Sequence, residues 1–195
     1  MADIKLQSRA KIPTIYGVFE VMAYAKSEGE LMPHVTLMTP YLNVDEPVLL
    51  RIHSECMTGD VFASQKCDCG DQLDFSLKEI NNQSGIVIYL RQEGRGIGLI
   101  EKLKAYELQN QGYDTVDANI KLGHQADSRD YMDAINILKD LGISKVRLMT
   151  NNPEKLDFLD ANGIQVLERI PIVLPINKHS EEYLETKKTR MGHIL

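Results

Sequence analysis

Three cysteines lie close together in the first half of the chain, with ten residues between Cys56 and Cys67 and one residue between Cys67 and Cys69. Zinc binds thiolates readily, and three protein ligands with a fourth position left for water are typical of a catalytic zinc site. Just before the first cysteine, His53 and Glu55 could orient a bound water or move its proton. Two alternatives stay open: His53 closes a structural zinc site as a fourth ligand, or the cysteines are ordinary buried thiols. The spacing favours a zinc site with one open position.

A loop rich in glycine and arginine follows a short apolar segment and reads Arg91-Gln-Glu-Gly-Arg-Gly-Ile-Gly98. Glycine lets the backbone approach an anion closely, and the N-terminus of a helix predicted after the loop favours negative charge. Arg91 and Arg95 add donors that suit phosphate, and Glu93 offers an acceptor for a base or a sugar. The loop lacks the Gly-Lys-Ser/Thr ending of a Walker loop. It indicates nucleotide binding of another kind, and the alternative is a loop that only connects two elements.

A second polar segment, Asp127-Ser-Arg-Asp130, precedes a helix predicted over residues 131–141. Asp127 or Ser128 suits the N-cap position of that helix, so a capping role is one interpretation. Arg129 does not fit it, because a cation in the first turn opposes the helix dipole. The arginine therefore indicates another function for this segment.

A third polar segment, residues 150–155, lies between a predicted strand and a predicted helix. The carboxyl end of a strand next to a helix N-terminus is a frequent ligand position in α/β proteins. Thr150 and Lys155 could hold a phosphate or a base there. The alternative is a capped turn, with Asn152 as the cap and Pro153 at the first helical position.

The elements that must position these residues predict a mixed α/β or α+β fold, a single domain over residues 1–195 with a mixed β-sheet flanked by helices. Hydrophobic periodicity predicts strands over 16–24, 47–52, 85–90, 145–149 and 164–173. It predicts helices over 72–80, 97–111, 131–141 and 180–188. In the second of these, Leu99, Leu103 and Tyr106 form the expected apolar face.

Composition narrows the classes of partner. The net charge of −6 argues against nucleic acid, whose phosphate backbone needs a basic face. No apolar run approaches the roughly 18 residues that span a bilayer, and the first residues do not resemble a secretory signal, so no membrane partner and a cytoplasmic location are expected. An odd number of cysteines, three, argues against a closed disulfide framework.

Together these segments resemble the GTP cyclohydrolase II family. The residues that carry the resemblance run in the family's order along nearly the whole chain: 51–60, 67–70, 91–99, 111–115, 127–129, 150–153 and the closing Met191-Gly-His193. Several motifs of this length in one order are highly specific. No segment resembles a dihydroxybutanone-phosphate synthase, so that second activity of fused relatives is not expected.

The resemblance implies a zinc-dependent hydrolase that converts GTP to 2,5-diamino-6-(5-phosphoribosylamino)pyrimidin-4(3H)-one, formate and pyrophosphate, the first step of riboflavin biosynthesis. It implies one catalytic Zn²⁺ per chain on Cys56, Cys67 and Cys69, Mg²⁺ with the triphosphate, and a homodimer. It also implies a GTP site made of Arg51, Ile52, His53, Ser54, Glu55, Gln72, Glu93, Gly94, Arg95, Thr115, Thr150 and Lys155. The implied catalytic residues are Asp127 as proton acceptor, Arg129 as nucleophile toward the α-phosphate, and Tyr106 near the reacting base.

The chemistry leaves three alternatives open. Arginine is an unusual nucleophile because its pKa is above about 12, so Arg129 could instead clamp the phosphate in the transition state. The protein could sense GTP without turnover, which a fourth zinc ligand such as His53 would indicate. An enzyme of this kind could also stop at the formamidopyrimidine, although Tyr106 favours the second hydrolysis.

Overall fold

The computed structural model describes residues 4–125, 127–175, 180–192 and 194. The described residues form one mixed sheet of seven strands. The strands are Lys5–Thr14 (β1), Gly17–Ala25 (β2), His34–Met38 (β3), Val48–Ser54 (β4), Gly85–Leu90 (β5), Lys145–Met149 (β6) and Gln165–Ile170 (β7). They lie side by side in the order β1-β2-β3-β5-β4-β6-β7. Strands β1, β2, β3 and β5 pair antiparallel, whereas β5, β4, β6 and β7 pair parallel.

The described helices flank this sheet. They are Met57–Asp60 (α1), Cys69–Gln83 (α2), Gly98–Asn110 (α3), Thr115–Lys121 (α4), Met132–Asp140 (α5), Pro153–Ala161 (α6) and Glu181–Met191 (α7). One apolar core lies between the sheet and α5 and α6, and a second lies between the sheet and α2. None of these helices is long and apolar enough to cross a membrane.

Strand β4 lies at the centre of the parallel half, between β5 and β6. Its first six residues are buried, which is typical of a strand covered on both faces. Leu50 and Ile52 belong to the core beneath α5, and Leu49 belongs to the core beneath α2. Since successive side chains of a strand point to opposite faces, Arg51 and His53 share the α2 face with Leu49. Two polar residues therefore lie at the carboxyl end of a central strand.

The predicted mixed sheet flanked by helices is confirmed. The strands predicted over 85–90 and 145–149 coincide with β5 and β6, and the helix predicted over 131–141 contains α5. The predicted apolar face of α3 is wrong. Leu103 is 51% exposed, and the buried residues of that helix are Lys102 and Ala105, so α3 turns a charged side chain toward the interior.

Candidate active site

A pocket opens beside the carboxyl ends of β4 and β6. It brings together most of the residues that sequence analysis assigned to the site. Those that line it are Arg51, His53, Ser54, Glu55, Cys56, Cys67, Cys69, Gln72, Gly94, Arg95, Tyr106, Thr115, Arg129, Thr150 and Lys155. Ile52, Glu93 and Asp127 do not line it.

The alternation of β4 explains the place of Ile52. Its side chain is fully buried in the core on the opposite face of the sheet, so it is not a pocket residue. Its backbone carbonyl accepts a hydrogen bond from Lys155 Nζ at 2.9 Å. Ile52 can therefore act on a ligand only through the lysine that it positions.

Arg51 is a buried cation whose side chain is held by neutral partners. Its Nη1 donates to the carbonyl of Met149 at 3.1 Å, and its Nη2 donates to Oε1 of Gln72 at 2.6 Å. Gln72 in turn donates to the carboxylate of Asp68 at 2.5 Å. Burial lowers the pKa of Arg51 from its ordinary value. Its Nε has no hydrogen-bond partner among the described residues, so the guanidinium keeps a donor for an anionic ligand.

The three cysteine thiols meet at one end of the pocket. Their Sγ atoms all lie within 4.8 Å of one another, and Cys56 Sγ is 3.6 Å from Cys67 Sγ. Gly59 keeps the space beside them clear, because a Cβ there would lie 3.0 Å from Cys67 Sγ and 3.2 Å from Cys56 Sγ. The prediction that the three cysteines form one cluster able to hold a metal is confirmed.

Neighbouring groups determine which of the three thiols is ionised. Hydrogen bonds from the other two thiols lower the pKa of Cys56 far below its ordinary value, and the ammonium of Lys102 acts in the same direction. The same coupling raises the pKa of Cys67 to about 11, because it donates to the Cys56 thiolate. Without a metal, only one of the three sulfur atoms is readily ionised. Zinc would bind all three as thiolates, because metal binding displaces thiol protons.

His53 is not part of the group of ligand atoms that the three cysteines form. Its Nε2 lies 3.1 Å from both carboxylate oxygens of Asp60, and its ring stacks on Tyr89 at 5.4 Å between centroids. Burial lowers the pKa of His53, so its ring is neutral, and the proton belongs on Nε2 because a carboxylate only accepts. Its buried Nδ1 has no partner within the described residues. This placement favours three cysteine ligands over a closed site with His53.

Asp60 is a site residue that sequence analysis missed. Besides facing His53, its Oδ2 accepts from the backbone N–H of Cys56 at 2.9 Å and from Tyr89 Oη at 2.8 Å. One carboxylate thus fixes the start of the cysteine loop and the tautomer of the pocket histidine. Its place at the end of the matched segment 51–60 was the only sequence signal for it.

The glycine loop adopts backbone conformations that explain its composition. Gly94, Arg95 and Gly96 have φ values of 62°, 61° and 91°, in the left-handed region. Glycine occupies that region freely, whereas Arg95 does so under strain, which is common where a loop contacts a ligand. Arg95 lines the pocket. Arg91, which sequence analysis gave as a second phosphate donor, does not line the pocket, and its guanidinium donates to Glu55 Oε1 at 2.5 Å.

The carboxylate of Glu93 accepts hydrogen bonds from other residues of the protein. Its Oε2 accepts from the backbone N–H of Met57 at 2.6 Å, and its Oε1 accepts from the N–H of Gly94 at 2.7 Å and from Lys102 Nζ at 2.7 Å. The carboxylate is therefore placed to hold the loop, not to receive a base or a sugar. Lys102 itself was missed by sequence analysis, which placed Leu99, Leu103 and Tyr106 on the inward face of this helix.

Asp127 and Arg129 form an ion pair. Arg129 Nε donates to both carboxylate oxygens at 2.8 and 3.0 Å, and Nη2 makes a further bond to Oδ2. Helix α5 starts at Met132, whose N–H is accepted by Asp130, so the capping interpretation of Asp127 and Ser128 is wrong. Burial opposes ionisation of Asp127, but the arginine outweighs it and the pKa of Asp127 is lowered.

The Thr150 segment is both a capped turn and part of the pocket. Asn152 accepts from the N–H of Glu154 at 3.0 Å, with Pro153 opening α6, so the predicted cap is confirmed. Thr150 and Lys155 nevertheless both line the pocket and are almost fully buried. The two interpretations of this segment are compatible.

Helix α7 supplies one pocket residue, and an ion pair beside the pocket, that sequence analysis missed. Tyr183 lines the pocket, with the guanidinium of Arg95 6.0 Å from its ring centroid. Arg190 pairs with Asp114 and Asp117 on either side of pocket residue Thr115. Both residues lie far along the chain from the cysteines, so the sequence gave no signal that they belong near the site. Of the matched segment Met191-Gly-His193, His193 lies outside the described residues.

These features are typical of an enzyme. One concave pocket holds buried cations, an ion pair and a cysteine cluster with strongly perturbed pKa values. A sequence profile of the family GTP cyclohydrolase II matches residues 5–171. The chain belongs to that family.

Similar proteins agree with this assignment. "GTP cyclohydrolase-2" of Haemophilus influenzae is 46% identical over 196 residues, which cover 100% of this chain and 91% of that protein. "Riboflavin biosynthesis protein RibBA" of Chlorobium phaeovibrioides is 50% identical over 199 residues, which cover 100% of this chain and 48% of the relative. The chain spans about half the length of the RibBA relatives that it matches. A solved RibBX structure from A. baumannii, described as a two-domain 3,4-dihydroxy-2-butanone 4-phosphate synthase, has a TM-score of 0.45 at 17% identity, covering 90% of this chain and 41% of that one. That likeness is too remote to bear on function.

Proposed function

We propose that the chain hydrolyses GTP to the diaminopyrimidinone ribosylamine phosphate, formate and pyrophosphate. The observation that carries this proposal is that the cysteine cluster and the cations Arg51, Arg95, Arg129 and Lys155 line the same pocket. A guanine base and a triphosphate need those two chemistries within the length of one molecule. The proposal includes one GTP cyclohydrolase II domain over residues 1–195, a homodimer, Mg²⁺ carried by the triphosphate, and a cytoplasmic location.

The metal in this proposal is zinc, held by Cys56, Cys67 and Cys69. Zinc bound by three thiolates would lower the pKa of water toward about 7 and so make a nucleophile for carbon 8 of guanine available at neutral pH. Around it, His53 presents an unprotonated Nδ1 that can accept a hydrogen bond. Tyr106 lines the same pocket, and burial raises its pKa to about 12. Its phenol therefore stays protonated and can donate to the opening base.

The triphosphate in this proposal is bound by guanidinium and ammonium groups that are already ordered. Arg51 and Lys155 are held by backbone carbonyls and Arg129 by Asp127, so little side-chain entropy is lost on binding. Among the described residues, Arg51 Nε has no hydrogen-bond partner and remains available to a ligand. Such prearranged donors stabilise charge that develops on a phosphate.

Arg129 acts in this proposal as a phosphate clamp. Burial alone would lower its pKa, but the hydrogen bonds that Arg129 donates to Asp127 raise the pKa of Arg129 above its ordinary value. A guanidinium held so firmly in its protonated form is a poor nucleophile, which favours the clamp over the covalent alternative. The lowered pKa of Asp127 has the same consequence: this carboxylate is a weak proton acceptor and serves mainly to orient Arg129.

The substitution Cys67→Ser tests the proposal, with formate and pyrophosphate measured separately from GTP. Hydroxyl is a far weaker zinc ligand than thiolate, so zinc content should fall and formate release should be abolished. Pyrophosphate release should continue in part and yield GMP, since the cationic residues remain. Circular dichroism and GTP binding report whether the variant is folded, because loss of zinc can disorder the cysteine loop.

Each outcome decides between alternatives. Formate at the wild-type rate from folded Cys67→Ser protein would overturn the zinc assignment. Loss of both products with GTP still bound would show that the two hydrolyses are coupled. Wild-type protein that binds GTP but releases neither product would instead be a GTP sensor.

A further inference from the structure

We propose that Lys102 is a positioning residue that fixes the Cys56 thiolate and the glycine loop in one arrangement. This inference rests on the proposed zinc function. Lys102 lies on α3, is 8% exposed, and places its Nζ 3.1 Å from Cys56 Sγ and 2.7 Å from Glu93 Oε1. Neither the zinc signature nor the glycine loop of the sequence includes it.

A buried ammonium is costly unless anionic partners surround it. Lys102 has two such partners, one on the cysteine loop and one on the glycine loop, and the side chains of Lys102 and Glu93 are both 9% exposed. A methionine would fill the same space with no charge to bury. The presence of lysine at position 102 therefore indicates that a cationic donor has a function there.

The contact with sulfur has a chemical effect. A charge-assisted N–H···S bond draws electron density from the thiolate and restricts the direction of its remaining lone pairs. Outer partners of this kind orient metal ligands, and removing them costs about 10- to 100-fold in metal affinity. Lys102 would act on Cys56 in this way without itself binding the metal.

The contact with Glu93 extends this effect to the nucleotide side of the pocket. The same carboxylate accepts from the N–H of Met57, which follows the first cysteine, and from the N–H of Gly94. Gly94 also makes room for the lysine, since a Cβ at that position would lie 3.1 Å from Lys102 Cβ. One ammonium thus joins the residues beside the metal ligand to the loop that carries Arg95.

The experiment uses Lys102→Met and Lys102→Arg, with Lys104→Met as the matched control. Lys104 lies on the same helix, is 57% exposed at its side chain, and pairs with Glu101. Each protein is loaded with Co²⁺, without GTP, and the thiolate-to-cobalt charge-transfer band is recorded. Zinc affinity is measured separately by competition with a chromogenic chelator. Neither measurement depends on turnover.

Lys102→Met should shift the charge-transfer band to lower energy, because the sulfur regains electron density, and should weaken zinc binding about 10- to 100-fold. Lys102→Arg, which keeps a cationic N–H donor, should restore most of both properties. Lys104→Met should match wild type. A folded Lys102→Met protein with an unchanged band and unchanged zinc affinity would overturn the inference.

A second variant covers the case in which Lys102→Met does not fold because Glu93 is left buried without its partner. Lys102→Met with Glu93→Gln removes both charges and makes the same spectral prediction. A wild-type protein that shows no thiolate-to-cobalt band would overturn the proposed zinc function itself. That result is distinct from a normal wild-type band that Lys102 does not influence.

Discussion

The carboxylate of Glu93 offers the sharpest test of how the pocket is held together. Sequence analysis assigns Glu93 to the GTP site, whereas the structure directs its three hydrogen bonds to Met57, Gly94 and Lys102. The substitution Glu93→Gln keeps the size and one carbonyl oxygen but removes the charge. If Glu93 serves the loop, the variant should lose stability even when no nucleotide is present.

The expected loss of stability follows from the burial of the ion pair between Glu93 and Lys102. Removing one partner of a buried ion pair costs about 3–5 kcal/mol, because it leaves the other charge uncompensated. The amide oxygen of glutamine can still accept one of the backbone N–H groups, so we expect the lower end, about 3 kcal/mol. For a domain of this length, that loss corresponds to a thermal unfolding midpoint lower by about 6–12 °C.

The assay is urea unfolding of zinc-loaded protein without GTP, followed by circular dichroism. Glu101→Gln is the matched control, since Glu101 lies in the first turn of α3 and pairs with the surface groups Lys104 and His124. The control should unfold close to wild type. The reasoning would be refuted if the free energy of unfolding of Glu93→Gln were within about 0.5 kcal/mol of wild type while the variant bound GTP weakly. Glu93 would then contact GTP directly.

Three further predictions follow from the site. Arg129→Lys keeps the charge but loses the planar fork, so pyrophosphate release should fall about 100-fold; turnover near wild type would remove Arg129 from both proposed roles. Gly59→Ala places a methyl group 3.0 Å from Cys67 Sγ, so folded protein should retain less zinc by elemental analysis, and full occupancy would contradict the cradle. Because the folded pKa of Asp127 is lowered, the stability that its carboxylate adds is present above the unfolded value of about 3.9 and is lost as pH falls through the folded pKa. The difference in unfolding free energy between wild type and Asp127→Asn should stay constant from pH 7 to pH 5 and shrink only below about pH 3.9; a decline already between pH 7 and pH 5 would contradict the lowered pKa.

Local signals in the sequence predicted the parts of the molecule that local physics determines. The apolar run of β5 and the Asn152-Pro153 opening of α6 depend on neighbouring residues only, and the structure confirms both. The cysteine cluster was also predictable, since Cys67 and Cys69 are adjacent on one loop and Cys56 is close in the chain.

Other parts depend on contacts between distant segments. Lys102 was missed because nothing in the spacing of α3 shows that a carboxylate and a thiolate from other loops will meet it. Asp127 suits an N-cap by residue type, but its side chain binds Arg129 because the chain enters α5 four residues later than a cap at Asp127 would require. Tyr183 reaches the pocket from a helix more than a hundred residues after the cysteines, so only the folded chain shows it there.

The alternation along β4 places a constraint on how this sequence can change over evolutionary time. Arg51 and His53 face the pocket because Leu50 and Ile52 face the core, and β4 is paired in register on both sides. A substitution alters one of these positions, but an inserted or deleted residue within the strand would exchange the two sets and bury the arginine and histidine among aliphatic side chains. Neighbouring strands on both sides prevent a compensating slip. Length variation among related sequences should therefore be absent from this strand and accumulate in the turns at its ends.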